Sequence, residues 1–208
     1  MADPLFVAAV AALLGLIVGS FLNVVIYRLP IMLERDWRRQ CREVLAPGQP
    51  PPADEGARFD LVRPRSACPA CKTPIKAYHN VPVLSYLLLR GRCAACGARI
   101  ALRYPLVEAL SGAVSAMVAL RFGLSLEGLG ALVLCWSLIV LAFIDLDQQI
   151  LPDVITLPLL WVGIALALLG EESGGFLVLA DLRSSIIGAM AGYLSLWLVY
   201  QLYRLTTG

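Results

Sequence analysis

Long apolar stretches separated by short polar ones make up most of this chain. The apolar runs lie at about 5–26, 105–120, 129–146, 154–170 and 184–203. A helix needs about 20 mainly apolar residues to cross a bilayer, so the pattern predicts five spanning helices, some of them short. Between the first and second runs lies a stretch of different character, rich in charge, proline and cysteine. The expected architecture is an all-α polytopic membrane protein of about five transmembrane helices, with a loop domain after helix one. It divides into the first helix (1–27), the loop domain (28–104) and a four-helix unit (105–208).

Composition agrees with a membrane protein. The chain is 59% hydrophobic and 15% charged, with a mean hydropathy of +0.77, whereas soluble domains carry roughly 25% charged residues. No basic stretch precedes the first run and no small-residue cleavage site follows it, so it reads as a retained helix and not a removable signal. Basic charge orients the chain. Fourteen of the seventeen Lys and Arg residues fall between Arg28 and Arg103, and an excess of positive charge marks the cytoplasmic side. The loop domain is therefore expected in the cytoplasm and the N-terminus outside. Counting crossings then puts 147–153 and Arg204 on the cytoplasmic side, and the loops at 121–128 and 171–183 outside.

Within the loop, ERDWRRQCREVL (34–45) reads as a short interfacial helix, and the prolines and glycines of LAPGQPPPADEG (45–56) make a linker that cannot continue it. Next come CPAC, with Cys68 and Cys71, and CAAC, with Cys93 and Cys96, twenty-one residues apart. Two thiolates two residues apart can grip one ion, and a structural Zn²⁺ site closes four such ligands into a tetrahedron. Two disulfides or four idle thiols are the alternatives, but disulfides are rare in a reducing compartment. A zinc ion here would be structural, holding together a loop with too small an apolar core of its own. His79, the single histidine, is not needed once four thiolates are counted, and it leaves no basis for a Ser-His-Asp or Cys-His mechanism. Cys41 and Cys135 have no partners at ligand spacing; Cys135 reads as a small buried hydrophobe.

LAFIDLDQQILPD (141–153) carries three acids where an apolar run ends. Asp145 belongs to the end of the third helix, partly withdrawn from water, and ionisable groups at such positions are functional candidates. Asp147 reads as a solvated turn residue and Asp153 as the N-cap of the next helix. Hydrolysis by acids takes two carboxyl groups, one ionised and one protonated, so a single aspartate is an incomplete catalyst.

Three segments, GSFLNVVIYRLP (19–30), SACPACKTPIKAYHNVPVLSYLLLRGRCAACGARIALRYPLVE (66–108) and IDLDQQILPDVITLPLLWVG (144–163), resemble bacterial type IV prepilin peptidases over nearly the whole chain. That family consists of membrane aspartic proteases that also methylate the new N-terminus of their product. The resemblance implies a bacterial inner-membrane enzyme of type IV pilus or type II secretion systems. It would cut the basic leader from prepilins or pseudopilins at the cytoplasmic membrane face and use S-adenosylmethionine as methyl donor. Nucleic acid is not an expected partner, and the oligomeric state is left open. The family's first catalytic aspartate lies seven residues before the proline of D-x-x-x-x-x-[IL]-P-[DN], which matches Asp145 and Pro152. Its second lies in G-x-G-D, which occurs nowhere in these 208 residues. The expectation is therefore a chain that lacks half of the dyad, resembles the first two-thirds of a family member, and is inactive as a peptidase alone.

Gly19, Asn23 and Arg28 are the candidates for the methyl-donor site, because an Asn inside a membrane helix needs a polar purpose. Against this, GLIVG (15–19) is a small-xxx-small helix-packing surface. Two other readings compete with the enzyme: a non-catalytic membrane protein that binds pilus or secretion components through its zinc loop, and a transporter piece with Asp145 on a proton path.

Overall fold

The computed structural model describes residues 3–46, 58–76, 78, 81–172 and 182–207. Six helices follow in order: α1 (Pro4–Leu45), α2 (Leu84–Leu88), α3 (Arg103–Phe122), α4 (Leu126–Gln148), α5 (Asp153–Glu172) and α6 (Leu182–Thr207). The chain is an all-α polytopic membrane protein. Four of the described helices, α1, α3, α4 and α6, are long and apolar enough to cross a membrane, and α5 adds a shorter apolar stretch, Asp153–Leu169. The five predicted runs thus fall on α1, α3, α4, α5 and α6.

The first helix departs from expectation. It does not end near residue 27, and 34–45 is not a separate interfacial helix, because α1 continues through Pro30 to Leu45. Proline lacks one donor and crowds the preceding turn. The residues after it are mostly strong helix formers (Met, Leu, Glu, Arg, Gln), which favours continuation, and Arg38–Glu34 and Arg39–Asp36 ion pairs lie along the exposed face. Asp3 caps the start by accepting from the Leu5 amide at 2.9 Å. Most of the linker expected at 45–56 lies outside the described residues, as do His79 and Asp181.

Small residues set the packing. On α1 the buried positions Ala8, Gly15, Gly19, Leu22, Asn23 and Ile26 form one stripe, and on α3 Val107, Glu108, Ser111, Gly112, Ser115, Val118 and Ala119 form another. The two backbones come so close that a Cβ at Gly15 would meet the Ser111 carbonyl oxygen at 2.7 Å, and one at Gly19 would meet the Glu108 Cα at 2.7 Å. Gly112 answers from the other side, where a Cβ would meet the Leu16 side chain at 3.0 Å. Lipid is as apolar as leucine, so membrane helices gain little by hiding apolar surface from it and associate through such close packing and interhelical hydrogen bonds. Asn23 Nδ2 donates to the Tyr104 carbonyl at 3.0 Å, and Trp136 Nε1 on α4 donates to Ser115 Oγ at 3.1 Å.

Toward the other end of this contact the interface becomes aliphatic. Leu22, Ile26 and Leu29 of α1, Val107 of α3, and Ile139, Val140 and Ile144 of α4 form the core cluster. The Ser125 hydroxyl starts α4 by accepting from the Gly128 amide at 3.0 Å, and Gln149 ends it in the left-handed conformation.

The Gly19 approach gives a direct prediction. Gly19→Val should destabilise the α1–α3 pair by about 1–3 kcal/mol, the usual cost of overpacking a tight contact, because the clash is with backbone. Unfolding of the purified protein in mixed detergent micelles measures it, and Gly163→Val is the control, since a Cβ there meets nothing within 4 Å.

Candidate functional site

Two matching knuckles build the cysteine loop. Cys68 accepts from the Lys72 amide at 2.9 Å, and its own amide donates to the Thr73 carbonyl at 3.0 Å; Cys93 accepts from the Gly97 amide at 2.9 Å and donates to the Ala98 carbonyl at 2.8 Å. The pattern repeats further out, with Ile75 amide to Ser66 carbonyl matched by Ile100 amide to Gly91 carbonyl, both 2.8 Å. Isolated antiparallel bridges, Ala67 with Pro74 and Arg92 with Arg99, close each knuckle. In both, the residue after the second cysteine has positive φ, 58° at Lys72 and 71° at Gly97. This conformation turns the chain back so that its amides face the sulfurs. The signal was in the sequence as C-x-x-C-x-x-x-I written twice, CPACKTPI and CAACGARI.

The four sulfurs of Cys68, Cys71, Cys93 and Cys96 lie within 4.8 Å of one another, and the Cys68 and Cys96 sulfurs are 3.9 Å apart. A tetrahedron of sulfurs about 2.3 Å from zinc has edges of about 3.8 Å, so the donor set fits Zn²⁺ in both chemistry and size. None of the four cysteines is paired in a disulfide in the structure. The hydroxyl and amide of Thr73 bring the Cys71 thiol down to about 6, and the amides of Cys96 and Ala95 lower Cys93. Cys96 moves the other way. The Ala98 amide alone would lower it, but Cys71, burial, Cys93 and Cys68 together push it up to about 11. Four sulfurs this close cannot all ionise without a cation among them.

Two arginines attach this loop to the helices. Arg28, buried on α1, donates to the carbonyls of Asp60 at 2.8 Å and Pro64 at 2.6 Å, and its guanidinium lies 5.7 Å from the centre of the Phe59 ring. Arg35, two turns on, covers the same ring at 4.4 Å. The tethered turn is stiffened by Asp60, whose carboxylate accepts from the amides of Arg63 and Val62 and from Arg58, which hold it down to about 2. At the loop's exit, Arg103 begins α3 and reaches the last turns of α4, where it pairs with Asp147 and donates to the Phe143 carbonyl at 3.3 Å.

The three acids of 145–153 separate accordingly. Asp147 is exposed, as expected, but lies within α4 and not in the turn, and it is the partner of Arg103. Asp153 is the first residue of α5 and not its N-cap; the Pro152 carbonyl takes the Ile155 and Thr156 amides at 3.0 and 3.2 Å, while Asp153 adds a favourable acid to the first turn. Asp145 occupies the last turn of α4, on the protein surface next to the fully buried Ile144. It lies at the same end of the helices as Arg103 and the cysteine loop, because Arg103 contacts both Phe143 and Asp147 on either side of it. Gly19, Asn23 and Arg28 are engaged with Glu108, the Tyr104 carbonyl and the 60–64 turn respectively. Those contacts are packing at Gly19 and hydrogen-bond tethers at Asn23 and Arg28. Cys41 is exposed and Cys135 half-buried.

A multi-pass helical membrane protein with a four-cysteine cluster able to hold a metal on a loop and an acid at the loop's end of the bundle defines the class. Residues 13–122 match the Bacterial Peptidase A24 N-terminal domain, and residues 132–208 match the Type IV leader peptidase family. The chain is 52% identical over 206 residues to a prepilin leader peptidase/N-methyltransferase of Pseudomonas putida, covering 99% of this chain and 68% of that protein. A relative of the same name from Neisseria gonorrhoeae is 50% identical over 203 residues, covering 98% and 68%, and one from Stutzerimonas stutzeri is 47% identical over 207, covering 99% and 68%. No solved structure matches. The chain belongs to the bacterial type IV prepilin peptidase family.

Zinc loading should depend on pH in a definite direction. Binding displaces thiol protons, so affinity rises with pH and falls on acidification, the Cys71 thiol, held down to about 6, needing the least help from the metal to ionise. Metal analysis of the purified protein should find one zinc per chain at neutral pH and loss of it on acidification. Cys93→Ser should lower occupancy and expose the loop to protease while the helical circular dichroism persists.

Proposed function

We propose that this chain carries the first catalytic aspartate of a membrane aspartic endopeptidase that removes the leader of type IV prepilins and related pseudopilins. The observation that carries the reading is Asp145, seven residues before Pro152 in a chain about half identical to proteins of that name. Asp145 would be one of two carboxyl groups flanking a water. The ionised group takes the water's proton as it attacks the scissile carbonyl, and the protonated group donates to the developing oxyanion. The resemblance assigns the other carboxyl group to a G-x-G-D motif, which residues 1–208 do not contain.

The orientation supports cleavage at the cytoplasmic face. Basic residues crowd the loop between Arg28 and Arg103, a pattern that supports a cytoplasmic position for the end of the bundle that bears the loop and Asp145 and an outside position for the N-terminus. Zinc held by Cys68, Cys71, Cys93 and Cys96 would serve as the loop's cross-link and take no part in hydrolysis. The second half of the relatives' name, N-methyltransferase, carries the reading that S-adenosylmethionine methylates the new N-terminus.

In cells without another prepilin peptidase, the enzyme expressed from its full reading frame should lose cleavage by at least ~10²-fold on Asp145→Asn, the scale of general acid–base assistance. Asp147→Asn should still cleave, since an amide oxygen can go on accepting from Arg103. Immunoblots that separate precursor from mature pilin read both, and normal processing by Asp145→Asn would overturn the assignment.

A further inference from the structure

Arg103 joins the cysteine loop to the helix that bears Asp145. The second knuckle closes where the Ile100 amide donates to the Gly91 carbonyl at 2.8 Å, and α3 opens at Arg103 after only Ala101 and Leu102. From there the half-buried guanidinium takes hold of α4 in three ways. It pairs with the Asp147 carboxylate, its Nη2 donates to the Phe143 carbonyl at 3.3 Å, and its carbon lies 5.2 Å from the centre of the Phe143 ring. Phe143 in turn packs against the core cluster of α1, α3 and α4.

A helix is least fixed at its end, where the last carbonyls lack intrahelical partners, and a cation placed near them is favourable. The last turn of α4 contains no basic residue of its own. Arg103 supplies the cation from the neighbouring helix. Its planar fork suits the task, since it holds a carboxylate and a carbonyl at once, whereas the ammonium of a lysine acts as a compact point charge.

Phe143 and Asp147 are one turn apart and share a side of α4, while Asp145, midway between them, projects about 180° round the helix, at about 100° per residue. The grip of Arg103 therefore fixes the backbone of the turn that carries Asp145 and leaves the carboxyl pointing away from the cation. Gln149 closes the same turn from beyond the helix end, its amide donating to the Asp145 carbonyl at 2.9 Å. A reacting group is sensitive to such placement, because a displacement of about 1 Å can cost about 10²-fold in rate.

We propose that Arg103 is a positioning residue for peptide cleavage: bound to the Phe143 carbonyl and the Asp147 carboxylate, it sets the turn that carries Asp145. The proposal rests on the reading of Asp145 as a catalytic carboxyl group. It gives Asp147 a part in the same device, as the acceptor that fixes the Arg103 fork.

The test measures kcat and KM for prepilin cleavage by the purified enzyme expressed from its full reading frame. Arg103→Gln should lower kcat by about 10- to 100-fold, the cost of misplacing a reacting group, and leave KM within about twofold, because substrate still binds. Arg103→Lys should recover part of that loss. Asp147→Leu, which removes the acceptor, should lower kcat in the same way but less, and adding it to Arg103→Gln should cost nothing further, since Asp147 acts through Arg103. A kcat for Arg103→Gln equal to that of the unaltered enzyme overturns the proposal, as does a loss confined to KM or losses that multiply in the double variant. If Arg103→Gln yields no folded protein, the kcat and KM of Asp147→Leu decide by the same split. Asp145→Asn separates the two readings: normal cleavage by it overturns the catalytic assignment, whereas its failure to cleave beside a normal Arg103→Gln overturns the positioning role alone.

Discussion

The approach of α1 to α3 is the constraint on which the rest depends. In a bilayer, apolar side chains are equally well solvated by lipid or by one another, so two helices stay together only where their surfaces fit more closely than lipid can. Gly15, Gly19 and Gly112 permit that fit by having no Cβ, and Ser111 and Ser115 are small enough to complete it. The register set there brings Asn23 opposite the Tyr104 carbonyl and Glu108 beneath the Val83 amide. Both polar contacts follow from the spacing of the glycines.

From this pair the geometry propagates to the end that bears the cysteine loop and Asp145. Arg28 emerges from α1 where the 60–64 turn can be held, and Arg103 emerges from α3 within reach of the last turns of α4. The loop's beginning and end are thereby attached to the helix pair, and α4, which carries Asp145, is attached to the loop's exit. Asp147 matters in this arrangement as the acid that holds Arg103, which leaves Asp145 as the nearby acid without that duty.

The cysteine loop shows a different economy. It has few buried apolar residues, Cys68 being the buried hydrophobe among its knuckles. Its order comes from two repeated hydrogen-bonded turns that aim four sulfurs at one point. A metal bound there would substitute for a hydrophobic core, which is how small domains with too little apolar surface are stabilised.

Sequence by itself determined the elements whose causes are local. The apolar runs fell on α1, α3, α4, α5 and α6 because a spanning helix must be apolar along its own length. The cysteine pairs were legible because ligand spacing is a short-range property, and the family because its motifs are contiguous. Only the tertiary structure decided the rest. The Arg103–Asp147 pair joins residues forty-four positions apart, and neither looks unusual alone. Asn23 and Arg28 stood out as polar residues needing a purpose, but that purpose, a carbonyl on α3 and a turn of the loop, became visible only when those segments were brought alongside. The anchoring of Val83 by Glu108 has the same origin: hydrogen bonds between distant segments complete what local propensity begins.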